Sequence, residues 1–155
     1  MDRDKLIEQL RRHEGEELEP YQDTVGKWTV GIGRNFDDVG FSTDELRELI
    51  GEGISSQLSE TLLENDIKVA QDELEKVFDA EVLDGLDDAR HNVLINMIFN
   101  MGRPRLSQFR MMIAAVNAGD WNEAADQMID SRWYRQVGNR AVELVAQMRT
   151  GDYQE

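Results

Sequence analysis

Tyr21-Gln22-Asp23-Thr24-Val25-Gly26-Lys27-Trp28-Thr29-Val30-Gly31-Ile32-Gly33, preceded by Glu14-Gly15, is the stretch in which the character of the chain changes. Ahead of it, Asp4 to Arg12 carries Leu6, Ile7 and Leu10 at helical spacing, and Gly15 lets such a helix end in a left-handed cap. Within it, Trp28 to Ile32 is β-branched and aromatic with glycines interleaved, and Asp23-Thr24-Val25-Gly26 is turn chemistry. A small β-hairpin or three-stranded sheet is predicted. Downstream, Ser42-Thr43-Asp44-Glu45 opens a short helix through Ile50, with Gly51 and Gly53 as its stop. Ser55 caps a longer helix whose apolar positions Leu58, Leu62, Leu63, Ile67 and Val69 run on toward Leu74 and Phe78, more than 20 residues in all. From Val82 onward the pattern is helical. Val93 to Phe99 is apolar nearly all round and should form a buried centre, and the methionines between 97 and 148 sit at core spacing. One small sheet in a mostly helical chain is the α+β class.

Composition narrows the function. The 155 residues suffice for one ordinary domain or two small lobes sharing a core. Without cysteine, and with His13 and His91 as the only histidines, the chain offers no disulfide framework, thiolate zinc site, Cys nucleophile or histidine-rich metal site. No metal and no cofactor are expected. Lys and Arg number 17 against 32 Asp and Glu, a net charge of −15, which argues against nucleic acid or an anionic membrane as partner. No apolar run reaches the roughly 20 residues of a membrane span. The charged start Met1-Asp2-Arg3-Asp4-Lys5 is no signal peptide, so synthesis in the cytoplasm is expected. Residues 1–102 carry a net −15, whereas 103–149 carry +2 with arginine as the only base. Arginine is the residue that grips a carboxylate or a sugar oxygen with a planar fork.

Two chemistries fail on spacing. A dinucleotide fingerprint needs glycine where Phe36 follows Gly31-Ile32-Gly33, and a calcium loop beginning at Asn35 would need oxygen ligands where Val39 and Leu46 stand. Carboxylate chemistry remains. Glu14 ends an amphipathic helix, Asp23 opens the sheet nine residues on, and Thr29 lies on the following strand. A protonated acid opposite an ionised carboxylate holding a water is what glycosidic cleavage requires.

Glu14-Gly15 with Tyr21 to Gly33 resembles the active-site signature of the bacteriophage-type lysozymes, muramidase endolysins of glycoside hydrolase family twenty-four. The likeness continues in Asn96-Met97-Ile98-Phe99-Asn100-Met101-Gly102, Trp121-Asn122-Glu123-Ala124-Ala125, and Ser131-Arg132-Trp133-Tyr134-Arg135-Gln136 followed by Asn139-Arg140-Ala141. Order and spacing hold over about residues 5–151. The resemblance implies a single lysozyme domain over 1–155. Its parts would be a β-containing lobe at 14–55, a connecting helix at 56–76 and a helical lobe from 1–13 and 77–155, with a peptidoglycan glycan strand bound between the lobes. It implies a monomeric peptidoglycan hydrolase cleaving the β-1,4 bond between N-acetylmuramic acid and N-acetylglucosamine with inversion. Glu14 would be the general acid, Asp23 the base holding the water, and the Thr29 hydroxyl its helper. Inversion needs the carboxyls roughly 6.5–9.5 Å apart. By the same resemblance Asn35, Phe99, Met112 and Gln127 line sugar sites, Asn100 and Trp133 shape the cleft floor, and Arg140 pairs with Glu14. Without an export signal, a holin-like pore or injection would bring the enzyme to the wall.

Departures from the family pattern carry expectations of their own. Arg34 stands where the family commonly has histidine, and an Arg34–Asp66 ion pair is expected in place of a His–Asp one. His13 and Glu143 exchange the signs of the corresponding family pair and are expected to touch. The acidity is unusual for enzymes acting on anionic walls and is consistent with a salty working environment, where screening removes long-range repulsion. An inactive wall-binding or structural module of the same fold is the competing reading, but such modules usually lose the Glu or Asp, and Glu14, Asp23 and Thr29 all stand. An acidic interaction protein with a chance match cannot explain four ordered blocks.

Overall fold

The computed structural model describes residues 1–52 and 54–153. It divides into two compact units, Arg3–Val69 and Met1–Asp2 with Ala70–Glu155, so the first helix groups with the sheet.

The sheet-bearing unit begins with α1 (Arg3–Glu14), whose buried stripe is Leu6, Ile7, Gln9 and Leu10. The Gly15 N–H bonds the Arg11 carbonyl at 2.9 Å and closes the last turn. Strands β1 (Glu17–Gln22), β2 (Trp28–Gly31) and β3 (Arg34–Asn35) form an antiparallel sheet in chain order. Tyr21 faces Thr29, Thr29 faces Asn35, and Val30 faces Arg34. The first strand starts at Glu17, before the expected Tyr21. Glu17-Leu18-Glu19-Pro20 carries no strand signature, and its proline is tolerated on an edge strand where the register shifts between Glu17 and Tyr21.

Helix α2 (Thr43–Glu52) opens on a reciprocal capping box. The Ser42 hydroxyl accepts from the Glu45 N–H at 3.2 Å, and the Glu45 carboxylate accepts from the Ser42 N–H at 2.7 Å. The helix continues through Gly51, which is therefore not its stop, and Gly53 lies outside the described residues. In α3 (Ser56–Leu74) the Ser55 hydroxyl caps the Leu58 N–H at 3.1 Å. Leu58, Leu62, Leu63 and Ile67 are buried, whereas Val69, expected on the same stripe, is 60 % exposed. The helix runs 19 residues, shorter than predicted, because the chain tightens into a turn at Leu74–Val77 and buries Phe78 beyond the helical end.

The second unit is helical: α4 (Ala80–Asp84), α5 (Asp88–Met101), α6 (Arg103–Leu106), α7 (Arg110–Ala118), α8 (Trp121–Ile129), α9 (Arg132–Val137) and α10 (Asn139–Thr150). Helix α5 is its centre, with Asn92 through Ile98 buried and Phe99 only half-buried. Helix α8 packs against α7 and α10, and α10 against α5. Met97, Met101, Met112, Met128 and Met148 fill this core, while Met111 points to solvent. With its small antiparallel sheet and dominant helices the chain is α+β. Among the described residues no helix is long and apolar enough to cross a membrane.

Candidate active site

Glu14 is the last residue of α1, half-buried, where the helix hands over to the sheet. Its side chain lies along the α-carbon of Gly33, in the turn between β2 and β3. A Cβ placed there would stand 3.1 Å from Oε2, 3.2 Å from Cγ and 3.3 Å from Cβ of Glu14.

Asp23 ends the first strand's run and organises the turn into β2. Its Oδ1 accepts from the Val25 N–H and the Lys27 N–H, both at 2.9 Å, and its own N–H bonds the Lys27 carbonyl. The carboxylate is thus held in one orientation by backbone. Thr29 is buried, with its hydroxyl donating to the Lys27 carbonyl at 3.3 Å. Tyr21, across the ladder from Thr29, was not singled out from sequence. Partial burial, and then the carboxylates of Glu14, Glu17 and Asp23, push its phenol above the ordinary tyrosine range.

Asn35 is committed to local structure. Its carbonyl oxygen accepts from the Asp37 and Asp38 N–H groups at 3.1 Å and its amide donates to Asp38, fixing the loop after β3.

Arg34 is 3 % exposed and is the hub of a buried network. Its Nε donates to Asp66 at 2.9 Å. Its other two nitrogens form a bidentate pair with Glu45 at 3.1 Å and also reach the carbonyls of Leu62, at 2.9 Å, and Gly40, at 3.2 Å. Glu45 was missed as a partner. Ser42-Thr43-Asp44-Glu45 reads only as the opening of a helix, and the second duty of Glu45 depends on Arg34 of β3 reaching it. Burial works to raise Glu45, yet the Arg34 fork, the Ser42 N–H and the Asn65 amide hold its carboxyl at about 2. For Asp66 burial prevails over the Arg34 contact and lifts the carboxyl above its usual range.

In the helical unit, Met112, Gln127 and Trp133 line one pocket of about 440 Å³ with Arg105, Arg110 and Arg132, and Asp130 is the one acid among the lining residues. None of these arginines is ion-paired among the described residues, in a chain with a large excess of acids. Trp133 is buried, meets Phe109 edge-on, and donates its indole N–H to the Asn100 side chain at 2.9 Å. Phe99 is not among the pocket residues. Arg140 donates to the Asn96 side chain at 2.9 Å and to its carbonyl at 3.4 Å. Asn96 was also missed, although a polar residue inside the apolar run Val93–Phe99 is the kind of exception that marks a buried partner. Among the described residues no His, Asp and Glu cluster could hold a metal ion.

The phage lysozyme family profile matches residues 11–150. A probable T4-type lysozyme of Dictyostelium discoideum is 31 % identical, with 97 % of this chain and 96 % of the relative covered. The pre-baseplate central spike protein Gp5 of Enterobacteria phage T4 is 33 % identical over 95 % of this chain and 28 % of its own length. The endolysin of Salmonella phage P22 is 27 % identical over 79 % of this chain and 77 % of the relative. With the profile spanning almost the whole chain and a full-length relative above 30 % identity, this chain belongs to the phage lysozyme family.

Proposed function

We propose that this chain, a peptidoglycan hydrolase by its family, cleaves the β-1,4 bond between N-acetylmuramic acid and N-acetylglucosamine with inversion at the anomeric carbon. The observation that supports this reading is the placing of Glu14 at the end of α1 against Gly33 of the β2–β3 turn, with Asp23, its carboxylate held by two backbone N–H groups, at the turn that opens β2 of the same sheet. Glu14 donates its proton to the leaving glycosidic oxygen. Asp23, its carboxylate oriented by two backbone N–H groups, takes a proton from the attacking water, and the Thr29 hydroxyl orients that water. The pocket of the helical unit serves the same polymer. Trp133 and Met112, almost wholly buried, form the apolar floor beneath it, Gln127 offers hydrogen bonds, and the arginines face the carboxylates of the wall. Clearing of permeabilised cells tests the assignment. Glu14→Gln and Asp23→Asn should each lose about 100-fold or more, the range of a positioned acid or base. Mass spectrometry should find muramic acid at the new reducing ends, and proton NMR should catch the inverted anomer before it mutarotates. Wild-type clearing by Glu14→Gln would overturn the mechanism.

A further inference from the structure

Gly31 and Gly33 flank the β2–β3 turn with similar positive φ, +68° and +75°, so an L-residue with a side chain is strained at either. What lies against them differs. A Cβ on Gly31 would stand 2.8 Å from the Ser59 hydroxyl, on the side of α3, whereas a Cβ on Gly33 would meet Glu14 and nothing else that close. Cβ, Cγ and Oε2 of Glu14 all lie within 3.3 Å of that position, tighter than most contacts a Cβ makes. The missing side chain is thus the space the acid occupies. Glutamate has three rotatable bonds, and a helix end by itself does not select among them.

We propose that Gly33 is a positioning residue: its bare α-carbon is the wall against which the Glu14 carboxyl is set at the angle that proton donation needs. This rests on Glu14 being the general acid. A methyl at Gly33 pushes the carboxyl aside by a few tenths of an ångström or rotates it, and misplacements approaching 1 Å cost about 100-fold in rate.

The test compares Gly33→Ala with Gly31→Ala, which shares the backbone strain but not the contact. Both are assayed on soluble peptidoglycan fragments at a temperature where circular dichroism shows them folded. Gly33→Ala should lower kcat roughly tenfold with KM within about twofold. It should also move the basic limb of the kcat/KM profile, which reports the essential acid. Gly31→Ala should melt earlier yet keep wild-type kcat and both limbs. The proposal falls if Gly33→Ala retains the wild-type kcat and basic limb, or if Gly31→Ala shows the same loss. Should Gly33→Ala not fold, the unfolding midpoint of Glu14→Ala/Gly33→Ala is compared with that of Glu14→Ala. Recovery of folding once the Glu14 side chain is gone supports the contact, and an undiminished cost overturns it. Glu14→Gln separates the two claims. If it turns over like wild type, the catalytic reading fails, whereas an inactive Glu14→Gln beside an unaffected Gly33→Ala removes only the positioning role.

Discussion

Replacing Arg34 by methionine keeps most of the apolar stem and removes the guanidinium that holds β3, α2 and α3 in one network. The side chain is 3 % exposed and donates to two carboxylates and two carbonyls, so little of the loss can be recovered by water. Its pull on Glu45, with help from Ser42 and Asn65, lowers that carboxyl to about 2 from an ordinary 4.5. At 1.36 kcal/mol per pKa unit this is roughly 3 kcal/mol of differential stabilisation. Removing one partner of a buried pair costs about 3–5 kcal/mol, since the other charge stays buried and uncompensated. For a chain of this size that means a midpoint lower by about 10 °C. Thermal and urea unfolding at neutral pH measure it. A double-mutant cycle with Glu45→Met assigns it, because the cost of losing Arg34 should shrink once the carboxylate is also gone. A loss below about 1 kcal/mol, or one unchanged in the Glu45→Met background, would show that the network does not hold the unit together.

The same network predicts the acid response. Glu45 is depressed in the folded state, so its contribution is full above about pH 4.5 and is lost as pH falls toward 2. Asp66 is raised, so its contribution has the opposite sign, present at low pH and lost as pH rises through its elevated pKa. Glu45→Gln should therefore flatten the acid limb of stability measured by urea unfolding, and Asp66→Asn should steepen it. His91, hydrogen-bonded to Gln71 at 2.9 Å, is lowered by burial first and then by the Met1 ammonium, against the pull of Asp88, Asp84 and Glu75. Its folded pKa lies below 6.5, so stability falls as pH drops below that value, and His91→Gln should remove the slope in melts between pH 7 and 5. Tyr153 accepts from the buried Asn92 amide at 2.8 Å, and Tyr153→Phe should cost about 1 kcal/mol in urea unfolding. Wall clearing should rise between about 10 and 150 mM salt, where the screening length falls from roughly 30 to 8 Å. A monotonic fall with salt would argue against repulsion by the acidic surface.

Local chemistry made part of this fold legible. Leu6, Ile7 and Leu10 at helical spacing, Gly15 as a cap, Ser42 to Glu45 as the opening of a helix and Ser55 as the next cap each concern residues a few positions apart, and each appears in the structure at that place. Misreadings came where neighbours distant in sequence decide. Glu17 to Pro20 becomes a strand because β2 pairs with it, against its own composition. Val69 and Met111 fit apolar patterns yet face solvent, because a pattern cannot say where a helix stops being covered. The candidate site divides the same way. Glu14 and Asp23 stood out by their positions at element ends. Tyr21, Gly33, Glu45 and Asn96 act through cross-strand and cross-helix neighbours that no spacing rule supplies.

Net charge is a sum, and the structure shows why a sum misleads about a wall polymer. Arg34, Arg90, Arg103 and Arg149 are each matched by carboxylates nearby, so their fields close on short distances. Arg105, Arg110 and Arg132 are gathered on one pocket beside a single aspartate and have no ion pair among the described residues. At an ionic strength where screening acts over about 8 Å, a ligand in that pocket experiences the arginines far more than the remaining acids of the chain. At low salt the screening length exceeds the size of either unit, and the full −15 repels any anionic surface before such contacts form. The charge count therefore weighs against partners that bind by a broad basic face. It does not exclude an anionic polymer read a few groups at a time, and salt is the variable that separates the two regimes.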